Sequence, residues 1–331
     1  MQTAIAHAVA RYGPHLPPGM TILRRDDTPY PCTIQPAHPA QTIDDLLGRL
    51  DNRLLRLTDY ALHDGDHLVA RQADRLLTNG LCYAFDRLHT DPPRLDGALG
   101  RYFDMMATCD ALDHELRRGN GTPMRDHLHA LVPPGEALRS GRGRCALIGG
   151  AVLLAFRRAD DYHLLLGQRS ATLATGAGLL HVLPAFMMQP TNDEQPVSGW
   201  SLRDQIIREF AEELFGVPEG LPPQALAAQP PAADLLALLN DGQAELVPTG
   251  IAFNLLSLRP EVCALLIIHD TGWHTRHADG LAAAAHTERQ STLTIPLATL
   301  AGLPHDLPTR MTPQGAAALW LGVDRARHLA R

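Results

Sequence analysis

Three glutamates, Glu209, Glu212 and Glu213, stand at i, i+3 and i+4 in the run Arg208-Glu209-Phe210-Ala211-Glu212-Glu213. On a helix these positions are neighbours on one face. Carboxylates crowded there repel one another, and a hard divalent cation such as Mg2+ or Mn2+ among their oxygens relieves the repulsion. Arg208 precedes the cluster and is placed to orient one carboxylate through a bidentate pair. The same spacing also suits a solvated acidic helix face, which is the commoner arrangement. Context has to separate the two.

The element carrying the cluster is an amphipathic helix expected over 201–215. Leu202, Ile206, Ile207, Phe210 and Leu214 face one way and the carboxylates mostly the other. Before it, CALIGGAVLLAFRR and YHLLLGQRS are two apolar runs separated by Ala159-Asp160-Asp161, the pattern of a hairpin. GLLHVLPAFMMQP is a third extended segment, followed by a polar loop. After the helix, DLLALLN reads as a short helix and LVPTGIAFNLLSL, VCALLIIHD and STLTIPLATL as strands. A last helix is expected from Pro313 to Leu329. Gly149-Gly150 inside the first strand signals a bulge or close packing.

Upstream the texture differs. Residues 1–41 are rich in proline and turn formers, with TILRRDD and PCTIQP as a candidate hairpin. From Thr42 the chain is free of proline up to Asp91-Pro92-Pro93. Leu46, Leu47, Leu50, Leu54 and Leu57 recur at helical spacing. A further helix is expected over 95–118, closed by Gly119-Asn120-Gly121. The expected organisation is an irregular or hairpin segment at 1–41, a helical domain at 42–135 and an α+β domain at 143–331. The leucine-rich helices are read either as internal packing or as a homodimerisation surface.

The chain of 331 residues is 45% hydrophobic and carries a formal net charge of −7, so it can bury a core and lacks the signature of disorder. All 29 basic side chains are Arg, without a basic run, so generic nucleic-acid binding through a basic face is not indicated. The heavy use of Arg, Ala, Leu, Pro and Gly suggests a GC-rich bacterial source. The five cysteines show no CxxC spacing and read as buried thiols. The 17 histidines are scattered, without zinc spacing. No apolar run is long enough to span a bilayer, and the N-terminus lacks a signal-peptide pattern. A cytoplasmic protein without a membrane partner is expected.

Taken with the strands around it, the helix resembles the Nudix box. That pattern runs Gly, five residues, Glu, seven residues, then Arg-Glu-hydrophobic-x-Glu-Glu-x-Gly-hydrophobic. Its second half matches Arg208, Glu209, Phe210, Ala211, Glu212 and Glu213, with the glycine one residue late at Gly216. The upstream Glu is replaced by Trp200 and the upstream Gly by Glu194. Pro184 is followed by Ala185 and Phe186 where the family has Gly-Gly. The resemblance covers about residues 143–328. It implies an α/β/α sandwich with a mixed sheet, and metal-dependent hydrolysis of a diphosphate in a nucleoside diphosphate derivative or related small molecule, a pyrophosphatase activity. It implies Mg2+ or Mn2+ held by Glu209, Glu212 and Glu213, with Glu209 or a loop carboxylate, for which Glu288 is the candidate, near the attacking water and Arg208 orienting a carboxylate of the catalytic set. Arg169 lies on the strand before the box, where the family commonly has an Arg. Phe186 and Trp200 flank the expected site and could stack on a flat ligand group or belong to the core. The altered approach loop leaves an alternative, a Nudix-like domain that binds a nucleotide or sugar phosphate as a sensor without turnover.

Overall fold

The structure is a computed structural model that describes residues 2–25, 27–55, 78–170, 178–283, 289–301 and 310–330. The expected β texture of the second half is present. Strands β6 (Gly149–Arg158) and β7 (Asp161–Arg169) form the hairpin. The segment after it makes two short strands, β8 (Leu180–Val182) and β9 (Ala185–Met187), separated by a cis Leu183-Pro184 bond. Then come β10 (Ala244–Asn254), β11 (Arg259–Ile268) and β12 (Arg289–Pro296). The hairpin expected within 1–41 also forms, as β1 (Thr21–Arg25) and β2 (Thr28–Pro36). It extends the large sheet by pairing β2 with β10.

The sheet order is β1-β2-β10-β11-β6-β7-β12, with β8 on β7 and β9 on β6. β11 runs parallel to β6, while its other neighbour β10 is antiparallel, so the sheet is mixed. Side-chain alternation sorts the strands into two apolar layers. On β6, Val152, Leu154 and Phe156 join one layer, and Ala151, Leu153 and Ala155 the other. β11 divides likewise, with Leu266 on the first side and Leu265 on the second. The first layer is covered by the helices Leu202–Phe215, Pro230–Asn240 and Trp273–Ala283, the second by the C-terminal helix Pro313–Leu329. The result is the expected α/β/α sandwich within an α+β protein.

The upstream half requires a correction. Of the residues expected as helix between 42 and 101, Leu47–Leu54, Leu81–Thr90 and Pro93–Arg101 are strand. A 3-10 turn at Ile43–Leu46 leads into β3 (Leu47–Leu54), and β4 (Leu81–Thr90) and β5 (Pro93–Arg101) complete a three-stranded sheet in the order β3-β5-β4. Leu47, Leu50 and Leu54 do share a face, but they oppose Leu95, Gly97 and Leu99 on β5 in an irregular parallel register. Leucines three and four apart fit a helix locally, and a distant pairing partner overrides that preference. Helix begins only at Tyr102, continues through a π turn at Met106–Asp110 and ends at Arg118, where Gly119 takes the left-handed cap expected of it (φ 70°). Helices Gln2–Tyr12 and Pro123–Leu131 add to this half. The first apolar layer extends without a break from Ala4 to Leu281, so both halves of the chain share one core.

Two fully buried arginines lock the halves together. Arg125 is 0% exposed and donates to the carbonyls of Leu112, Leu255 and Leu256 and to the Tyr12 hydroxyl. Arg144, 1% exposed, donates to the carbonyls of Ala137, Ser140 and Leu258. Both reach from the upstream half to the turn joining β10 and β11.

Candidate active site

The helix Leu202–Phe215 starts and stops as its sequence dictates. Ser201 accepts the Asp204 amide hydrogen at 3.2 Å as its cap. Gly216 closes it in the left-handed region (φ 68°), where a side chain is strained. Asp44 adds a second cap from the upstream half, accepting from the Arg203 amide at 3.1 Å and from the Ser201 hydroxyl at 3.2 Å. The apolar positions Leu202, Ile206, Phe210 and Leu214 are buried, as the period requires.

Arg208 is 4% exposed and fans out beneath the carboxylates. It donates to Gln205 Oε1 at 2.8 Å, to Glu209 Oε1 at 3.1 Å and to the Gln189 carbonyl at 3.2 Å. Its Nε lies 3.9 Å from Glu212 Oε2, an ion pair beyond hydrogen-bond length. Gln205, also buried, grips the backbone of Gln189 twice: its Oε1 accepts from the amide at 3.2 Å and its Nε2 donates to the carbonyl at 2.8 Å. The approach segment is thereby tied to the helix at Gln189.

The three glutamates divide into two roles. Glu213 Oε2 accepts the Ala185 amide hydrogen at 2.7 Å, next to Pro184, and so fixes the approach loop. Glu209 and Glu212 lie largely buried beside Arg208. Glu212 Oε1 is buried without a hydrogen-bond partner among the described residues. Burial, and then the Glu209 carboxylate, push the Glu212 carboxyl up to about 7, against the pull of Arg208. A buried acceptor of this kind is relieved by a proton or by a cation. Among the described residues no three His, Cys, Asp or Glu converge as a ready cage. A Mg2+ site needs only one or two carboxylates when substrate phosphates and waters complete the shell. The Glu209–Glu212 pair meets that requirement.

The other expected site residues lie further apart. Glu288 falls outside the described residues. Of the two readings open for Trp200, its contacts are those of a packed ring: its Nε1 donates to the Gly48 carbonyl at 2.9 Å, its ring covers Gly97, and Tyr83 meets it edge-on at 4.9 Å. The ring is committed to the three-stranded sheet. Phe186 lies over Gly150, where an added Cβ would sit 2.3 Å from the ring. Gly149 gives the same room on the opposite face, since a Cβ there would lie 1.8 Å from Glu261 Oε2. The paired glycines therefore reflect close packing on both faces of β6. Gly150→Ala is expected to displace the Phe186 ring and to cost about 1–3 kcal/mol, seen as a lower denaturation midpoint with β content unchanged by circular dichroism.

Arg169, at the end of β7, acts electrostatically on Glu261 and His181. Burial pushes the Glu261 carboxyl up to about 7, opposed by Arg259 and Arg169, and burial pushes His181 down to about 3. Sequence inspection missed Gln189, Gln205, Glu261 and Arg259. The single visible signal was Gly149-Gly150, which marks the place where Glu261 and Phe186 pack.

A mixed sheet lies between helical layers, with a carboxylate-bearing helix on one side and an extended segment strapped to it, the arrangement expected from the resemblance of the sequence. Several solved structures are similar to part of the chain at low identity. NrtR of Shewanella oneidensis, solved with a 27mer DNA, is 15% identical with a TM-score of 0.31, over 55% of this chain and 62% of that one. The chain thus spans less than two thirds of that relative. A mutT/nudix family protein from Listeria innocua is also 15% identical with a TM-score of 0.31, over 55% of this chain and 94% of that one. The Nudix hydrolase RenU of M. smegmatis is 13% identical with a TM-score of 0.28, over 56% and 86% of the two chains. No family model and no curated protein matches the sequence. Among the described residues no helix is long and apolar enough to cross a membrane.

Proposed function

We propose that the protein hydrolyses a diphosphate linkage in a nucleoside diphosphate derivative or related small molecule, using Mg2+ or Mn2+ held by Glu209 and Glu212. The observation that carries this reading is the buried Glu212 oxygen without a hydrogen-bond partner among the described residues, beside a second carboxylate and above a buried arginine. Bound there, a divalent ion supplies charge neutralisation for the pyrophosphate oxygens and a polarised water as nucleophile.

The chain's own groups then have distinct tasks. Arg208 holds the Glu209 carboxylate in place through its guanidinium. Glu209, less buried than Arg208, is placed to accept a proton from the attacking water. Glu213 and Gln205 keep the approach segment at Ala185 and Gln189 against the helix, so that the reacting phosphoryl group meets a fixed wall.

Titration of the purified protein with Mg2+ and Mn2+ by calorimetry, followed by a product assay across nucleoside diphosphate derivatives, tests the reading. Metal binding in the micromolar to millimolar range, about 4–8 kcal/mol, with release of a phosphorylated product is expected. Absence of both metal binding and product overturns it. A second reading, ligand sensing without turnover, is favoured by the engagement of Glu213 with Ala185, which ties one oxygen of the third carboxylate to the approach loop. Saturable nucleotide binding without product, surviving Glu212→Gln, would select it.

A further inference from the structure

We infer that the hydrogen-bonded chain Arg125–Tyr12–His129 is an acid-sensitive latch, which holds the helix Gln2–Tyr12 on the helix Pro123–Leu131 and releases it when His129 takes up a proton. The first of these helices buries Ala4, Ala8 and Tyr12 in the core shared by both halves of the chain. Tyr12, its last residue, is 0% exposed. Its ring meets His129 edge-on at 5.5 Å, and its hydroxyl lies between His129 and Arg125.

The two ends of the chain fix the direction of every hydrogen bond in it. Arg125 has only donors, and its Nη1 lies 2.5 Å from the Tyr12 oxygen. The Val132 carbonyl can only accept, and it lies 2.8 Å from His129 Nδ1. Nδ1 therefore carries the hydrogen, and in the neutral ring Nε2 is an acceptor. Nε2 lies 2.8 Å from the Tyr12 hydroxyl, so the phenol donates to it while accepting from Arg125. A proton on Nε2 breaks this order. Two N–H groups then point at one phenol oxygen, and the phenol hydrogen loses its acceptor. A buried hydroxyl left in that state is costly, and a second cation stands beside the Arg125 guanidinium.

The surrounding charges work the same way. Burial pushes His129 down to about 4, against the Val132 hydrogen bond, and Arg125, Arg11 and Arg144 each add to the shift. The nearby carboxylates are engaged elsewhere. Asp126 pairs with Arg11 at 2.7 Å and also feels His7, and Glu115 accepts the amide hydrogens of Met124 and Arg125. On the helix Ala111–Arg118, Asp113 pairs with Arg117, beside His114 and Arg118. His127 is exposed, and His15 and Glu136 stand on the two short elements that meet at Gly135. An ordinary histidine titrates at 6.5. Between that value and about 4 the released form holds more protons than the latched one, so the latch weakens as pH falls through this window and levels off below it. Arg125 keeps its carbonyl acceptors at Leu112, Leu255 and Leu256 throughout, which confines the release to the helix Gln2–Tyr12.

Hydrogen exchange of the full chain across pH, corrected for intrinsic exchange rates, together with an NMR titration of the His129 ring, tests the inference. Amides of residues 5–12 should lose protection by at least about tenfold between about pH 6.5 and 4.5, while β6 and β11 keep theirs. His129 should titrate well below its ordinary range. His129→Gln retains an acceptor for the phenol and a donor for Val132 but takes up no proton, so it should abolish the acid response of residues 5–12. Should that variant fail to fold, Tyr12→Phe removes the hydroxyl instead. It should move the His129 titration up towards 6.5 and leave residues 5–12 poorly protected at neutral pH as well as in acid. A His129 that titrates at its ordinary value in the wild type, an undiminished acid response in His129→Gln, or protection lost from β6 and β11 in step with residues 5–12 would overturn it.

Discussion

Glu212→Gln is expected to lower metal-dependent turnover by at least about a hundredfold, a loss of several kcal/mol of charge stabilisation in the transition state. It is also expected to raise the thermal stability of the metal-free protein at alkaline pH. The second effect follows from the direction of the shift. The folded-state carboxyl titrates at about 7, above its ordinary 4.5. Between those values the folded chain holds more protons than the unfolded one, so stability contributed by this group falls as pH rises. Above about pH 8 the charged, buried carboxylate is a full liability, and glutamine removes it. Below about pH 4 both forms are neutral and the variant has no advantage. Saturating Mg2+ should reverse the order, stabilising the wild type more than the variant. Melting curves across pH, with and without Mg2+, together with a product assay, check all three points. A variant that matches the wild type in turnover and in metal-induced stabilisation would remove Glu212 from the site.

The largest stability effect is expected at Arg125→Met. The substitution keeps a long apolar stem but strips the donors from three buried carbonyls, at Leu112, Leu255 and Leu256. Each buried acceptor left unpaired costs about 1–3 kcal/mol, so a total near 3–5 kcal/mol is expected. Denaturant midpoints should fall accordingly. Arg94→Met, at an exposed site, should stay within about 0.5 kcal/mol of the wild type. The turn joining β10 and β11 should loosen in hydrogen exchange together with the helix Pro123–Leu131, because Arg125 is the piece common to both. A loss confined to one of them would mean that Arg125 does not couple the two halves.

The helix with the glutamates was legible in the sequence because its signals are local. A capping serine, an apolar period and a terminal glycine specify it within sixteen residues, 201–216, and the i, i+3, i+4 spacing puts the carboxylates on one face. The strands of the second half were legible for the same reason, as alternating or continuous apolar runs ended by turn formers.

Whatever depended on distant partners was not. Leu47, Leu50 and Leu54 satisfy a helical period and are nevertheless a strand, because β5 lies beside them some forty-five residues later in the chain. Glu213 looks like Glu212 in sequence, yet the amide of Ala185, 28 positions away, claims it. Trp200 occupies the place of a family carboxylate, and the three-stranded sheet takes up its ring. Tyr162, His269 and Glu245 are separated by 107 and 24 positions and meet only because the sheet order brings β7, β11 and β10 to one end. Sequence by itself determined the carboxylate helix and the strands around it, since periodicity and capping are short-range properties of the chain. Only the tertiary structure decided which partners each carboxylate takes and how deeply it is buried, because these are set by residues far away along the chain.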